Sequence, residues 1–120
     1  MTRFSSTGSI DIIETGIQGP AGTASRTTVT KSADATLTAS EGLVLVDASG
    51  GVVIITLPDP TTVSGVDFMI IKNDSSTNTV TVSPNGSETI DGESSYLMTA
   101  QFEGATMISD GTNWYVIGIK

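Results

Sequence analysis

Asp91 and Glu93, two carboxylates flanking Gly92, are the residues in this sequence best spaced for acid–base chemistry. Paired carboxylates can cleave glycosidic bonds when they flank a cleft. Nothing in the sequence supplies that cleft, or the platform of several aromatics on which a sugar would stack: the aromatics are Phe4, Phe68, Tyr96, Phe102, Trp114 and Tyr115 alone. Asp110-Gly111-Thr112-Asn113 offers oxygen ligands, but it lacks the spaced acidic residues and closing Glu of a calcium loop, so it reads as a hairpin turn before Trp114. The chain has no cysteine and no histidine, which removes disulfides, thiolate and imidazole metal sites and the usual histidine base. The serines thus have no histidine to activate them, and Lys31, Lys72 and Lys120 carry no local signature of a serine–lysine dyad. A non-enzymatic protein without metal or cofactor is expected.

Residues suited to binding are easier to find. Trp114 and Tyr115 point to opposite faces of an extended strand, so one of them at most lines any given surface. Either could contact a glycan or a subunit; the preferred reading buries Trp114 in the core and packs Tyr115 at a subunit contact. Ile10, Asp11, Ile12, Ile13 and Glu14 form a small apolar cluster in a polar surround, suited to adding a strand to a partner's sheet edge. An internal strand or a free arm fits the same texture. Next come three Gly-x-y triplets, Gly16-Ile17-Gln18, Gly19-Pro20-Ala21 and Gly22-Thr23-Ala24, before Ser25 breaks the register. Three extended chains wound about one axis leave no room for a side chain at every third position, so Gly16, Gly19, Pro20 and Gly22 suggest a three-chain axis. A flexible linker is the other reading of so short a run. Asn73-Asp74-Ser75 and Asn85-Gly86-Ser87 match the glycosylation acceptor pattern and are read as turns.

The elements that must position these residues are strands. The chain has 120 residues, the size of one domain, and divides into an arm over 1–24 and a β domain over 25–120. Ser and Thr make up more than a quarter of it, and Val, Ile and Leu occur in short runs. Nine strands are predicted: Thr27–Lys31, Ala35–Thr38, Leu43–Asp47, Val52–Leu57, Phe68–Lys72, Thr79–Ser83, Tyr96–Thr99, Ala105–Ser109 and Trp114–Ile119. Between them stand turn signals such as Ser49-Gly50-Gly51, Pro58-Asp59-Pro60, Asn73-Asp74-Ser75, Asp91-Gly92 and Asp110-Gly111. Such regular spacing predicts an all-β fold, an antiparallel β-sandwich of jelly-roll-like kind.

Thr79-Val80-Thr81-Val82-Ser83 alternates cleanly and predicts a strand with one wet face. Leu43–Val46, Val52–Leu57, Phe68–Ile71 and Trp114–Ile119 carry apolar groups on both faces. One small sandwich has a single interior, so the second faces call for covering loops or neighbouring subunits, and the triplets favour subunits. From Asp34 onward 11 acidic residues face only Lys72 and Lys120, a balance that repels phosphate backbones and argues against a nucleic-acid partner. The N-terminus lacks a secretion-signal pattern and no apolar run approaches the roughly 20 residues that span a bilayer, so neither ordinary secretion nor a membrane partner is expected.

The order of these segments resembles a module of fibre and decoration proteins of tailed bacteriophages. Gly51-Val52-Val53-Ile54-Ile55-Thr56-Leu57-Pro58 is similar to their apolar strand ending in Leu-Pro. It is followed by Ser64-Gly65, Phe68–Lys72, Asn78–Val82, Thr89-Ile90-Asp91-Gly92 and Ser109–Gly118 in the order and spacing of that pattern. The isoleucine-rich arm running into Gly-x-Gln-Gly-Pro-x-Gly also looks like phage fibre sequence. The resemblance implies a homotrimeric β-sandwich on a virion assembled in the host cytoplasm, attached through the arm to capsid or tail proteins. With no long shaft and no separate tip, a capsid decoration, cement or short head fibre fits better than a host-reaching tail fibre. A receptor- or glycan-binding tail-fibre tip is the alternative.

Overall fold

The computed structural model describes residues 26–120; the attachment arm and the Gly-x-y triplets lie outside the described residues. Nine strands form, each at the predicted place and within two residues of the predicted ends: β1 Thr27–Lys31, β2 Ala35–Thr36, β3 Glu41–Val46, β4 Val53–Thr56, β5 Asp67–Lys72, β6 Val80–Ser83, β7 Tyr96–Met98, β8 Gly104–Ser109 and β9 Trp114–Ile119. A 3-10 turn, Pro60–Thr62, interrupts the β4–β5 connection, capped by Asp59, whose carboxylate accepts from the Thr61 amide and hydroxyl at 3.0 and 2.8 Å.

The strands make two sheets, β1-β3-β5-β8-β9 and β2-β4-β6-β7. From β1 to β6 the chain alternates between them, and each strand pairs in parallel with the next-but-one: β1 with β3, β3 with β5, β2 with β4 and β4 with β6. After β6 the path reverses, and β6–β7, β5–β8 and β8–β9 are antiparallel. The expected antiparallel, jelly-roll-like sheets are therefore corrected to two mixed sheets. The physical reason lies in the connections. Parallel neighbours need a long excursion between them, and here a strand of the opposite sheet fills it. Turns such as Ser49-Gly50-Gly51 carry the chain across to the other sheet instead of folding it back on itself.

Both sheets bury their inner faces in one core. Val44, Val46, Phe68, Ile70, Ala105, Met107 and Trp114 come from the first, and Val53, Ile55, Val80, Val82 and Met98 from the second. β6 alternates as its sequence demands, with Val80 and Val82 buried and Thr81 and Ser83 half-buried. Buried Ser109 donates to the Pro60 carbonyl at 2.8 Å, fixing the β4–β5 loop over one end of the core.

Candidate functional site

Residues directly across a sheet share a face, so the register identifies what the five-stranded sheet turns outward. One row runs Thr28, Leu43, Met69, Thr106, Gly118; the next runs Thr30, Leu45, Ile71, Gly104; a third runs Asp67, Ile108, Tyr115. Leu43, Leu45, Met69, Ile71 and Ile108 are half-buried. Asp67, the one carboxylate in these rows, is paired with Arg26 at 3.2 Å. Gly104 is required: a Cβ there would lie 2.8 Å from the Ile70 carbonyl oxygen and 2.8 Å from Ile71 Cγ1. Thr106 Oγ1 donates to Met69 Sδ at 3.2 Å.

The other sheet differs. Its outward rows are Thr36, Thr56, Ser83 and Ile54, Thr81, Leu97. Four hydroxyl residues there surround exposed Ile54 and Leu97. Parallel strands inside a sheet read as continuous apolar runs because they are covered on both faces. The outer apolar groups of β3 and β5, Leu43, Leu45, Met69 and Ile71, are half-buried and not covered in this way among the described residues.

Trp114 and Tyr115 part as their adjacency requires. Trp114 is fully buried and packs edge-on against Phe68, ring centroids 5.7 Å apart at 66°. It is thereby withdrawn from the candidate surface contacts, because its inward position on β9 fills the space under β5. Its indole Nε1 meets no acceptor among the described residues. Tyr115 is 42% exposed, on the apolar outer face. The charge of Asp110, with partial burial and Asp91 adding, raises its phenol pKa.

One cluster went unnoticed in the sequence. Lys72 follows Phe68 and Ile70 on the inward face of β5 and is fully buried. Its ammonium donates to Asp74 Oδ2 at 2.8 Å, the Asp74 carbonyl at 3.1 Å and the Ser76 carbonyl at 2.9 Å, so all three of its protons are engaged. Asp74 Oδ1 accepts from the Ala48 amide at 2.7 Å, and Oδ2 from the Ser76 amide at 3.0 Å and the Ser76 hydroxyl. Asn78 Nδ2 donates to the Ala48 carbonyl at 2.8 Å. Burial alone would raise the Asp74 pKa. The hydrogen bonds from Lys72, Ser76 and the Ala48 amide outweigh it and hold the carboxyl well below the usual range. The arrangement welds the β5–β6 loop to the β3–β4 loop, with the Lys72 side chain held by three acceptors. The sequence signal was a lysine at a core-facing position followed two residues later by an aspartate.

The remaining candidates serve turns. Asp91, at φ +52°, accepts the Val116 amide at 3.1 Å, so its carboxylate braces β9. Asp110 Oδ1 accepts from the Thr112 and Asn113 amides at 2.9 and 2.8 Å, and Gly111 takes φ +94°, closing the β8–β9 hairpin. Those bonds lower the Asp110 pKa. Asn73 and Asn85 sit in loops after β5 and β6. Shallow polar depressions lie beside the Lys72 cluster, lined by Asp47, Ser49, Asn73, Asp74, Ser75, Ser76 and Gln101, and between Ser32–Asp34 and Gly50–Val52. Among the described residues no group of three or more Asp or Glu side chains is placed to hold a metal, and no helix is long and apolar enough to cross a membrane. No protein-family model matches the chain, and no curated protein matches it.

Proposed function

We propose that this chain is a non-enzymatic structural protein of a tailed bacteriophage particle, a homotrimeric β-sandwich serving as a capsid decoration, cement or short head fibre. In this reading Ile10, Asp11, Ile12, Ile13 and Glu14 grip the particle, and Gly16, Gly19, Pro20 and Gly22 gather three arms near the axis. The observation that carries it is the sequence order itself: an isoleucine-rich arm, three Gly-x-y triplets, then a β domain whose strands are apolar on both faces. Three weak arm contacts held on one rigid head act at high effective concentration, so the assembly resists dissociation better than a single arm.

Deleting residues 1–24 tests the role of the arm. The truncated protein is expected to stay folded and to lose co-sedimentation with undecorated particles. Retained binding at the full-length level would move attachment to the β domain. A second reading, a receptor- or glycan-binding tail-fibre tip, is favoured by the exposure of Tyr115. Saturable binding on a glycan array, lost in Tyr115→Ala, would select it.

A further inference from the structure

We infer that the outward face of the five-stranded sheet is where copies of this chain meet, an inference that rests on the trimeric part of the proposed function and names its contact. Six side chains form the patch: Leu43, Leu45, Met69, Ile71, Ile108 and Tyr115, drawn from four adjacent strands.

Charge identifies the occupant. From Asp34 onward each copy carries 11 acidic residues against two lysines, so most ways of bringing two copies together oppose carboxylates, which is costly at close range. The outer rows of this sheet hold one carboxylate, Asp67, at the rim and already paired with Arg26. Two copies can therefore approach through this face without desolvating an unpaired charge. The opposite sheet turns out four hydroxyl residues, Thr36, Thr56, Thr81 and Ser83, and only Ile54 and Leu97 among them are apolar.

Size agrees in order of magnitude. Five strands about 4.8 Å apart and six residues long at about 3.3 Å each give a flat footprint near 20 by 20 Å. That is roughly half of the about 800 Å² each partner contributes to a stable interface. Side-chain relief and the exposed Ile117 of edge strand β9, two residues from Tyr115, extend it. A contact made twice per subunit around a three-fold axis closes a ring without leaving an apolar face wet.

The test is sedimentation of full-length protein with Ile71→Glu on this face and Leu97→Glu on the other. The expected result is a mass of three chains for wild type and Leu97→Glu, and one chain for Ile71→Glu with its circular dichroism retained. A wild-type monomer would overturn the trimeric reading and this contact with it. Trimeric Ile71→Glu beside monomeric Leu97→Glu would overturn the contact alone and leave the trimer standing. Thiol labelling decides the matter if Ile71→Glu does not fold, since the chain has no cysteine of its own. In Thr106→Cys the thiol is expected to react slowly in the trimer and fast on dilution to monomer, with Thr81→Cys reacting fast throughout. Fast labelling of Thr106→Cys in the trimer would contradict the contact. Slow labelling in a monomer, relieved by deleting residues 1–24, would assign the face to the chain's own arm and overturn the contact as well.

Discussion

Lys72 and Asp74 form a buried ion pair in a chain without histidine or cysteine. Asp74→Ala would leave a buried ammonium facing two carbonyl oxygens with no counter-charge, a loss of about 3–5 kcal/mol. Lys72→Met combined with Asp74→Ala removes both charges and is expected to cost less than Asp74→Ala alone; urea unfolding at fixed protomer concentration measures both. The pH dependence has a definite sign. The folded pKa of Asp74 is depressed, so its stabilisation is full above the ordinary value of 3.8, declines below it and is lost once pH falls through the folded value. Thermal melts of wild type should therefore fall more steeply below pH 3.8 than those of Asp74→Asn. Trp114 invites a second comparison. Truncating it to Ala empties a large site and should cost about 3–5 kcal/mol. Trp114→Phe should cost clearly less, because it also removes the unpartnered indole N–H, a group whose burial is worth about 1–3 kcal/mol of destabilisation.

At the scale of elements, strand positions were legible because turn residues punctuate the chain and apolar runs lie between them. Val80 and Val82 went inward as their alternation predicted. Pairing direction was not legible. Gly50-Gly51 and Asn73-Asp74-Ser75 mark where the chain turns, but nothing local says whether it folds back or crosses to the opposite sheet. The two-faced runs did not carry it either, since they occur in the parallel strands β3 and β4 and also in β9, an antiparallel edge strand. The β7–β8 turn holds Phe102 at φ +67° with its ring 51% exposed and Lys120 Nζ 5.7 Å from the ring centroid. A bulky residue in the left-handed region costs roughly 1–2 kcal/mol, so Phe102→Gly is expected to hold or raise stability despite the lost ring. Two residues on, the opposite holds. Gly104→Ala drives a methyl into the Ile70 carbonyl and should destabilise by about 1–3 kcal/mol. Chemical denaturation of the two variants in parallel checks both signs.

For the whole molecule, one sheet turns out mostly hydroxyls around Ile54 and Leu97, and the other turns out a broader run of apolar side chains across β3, β5 and β8. The acidic surplus opposes close approach while burial of Leu43, Leu45, Met69 and Ile71 favours it, at about 1.5–3 kcal/mol for each side chain fully buried. Added salt screens the first and leaves the second, so association should tighten as ionic strength rises; sedimentation across a salt series would show the trimer persisting to lower protein concentration. The attachment proposed for the arm rests on residue texture alone, since Ile10–Glu14 and the triplets lie outside the described residues. Subunit number is the point on which triplets, two-faced strands and the neutral outer face converge. It is tested most directly by the native mass of the full-length chain in sedimentation equilibrium. A stable species near three times 12.3 kDa is predicted, and a clean monomer at micromolar concentration and above would contradict the account.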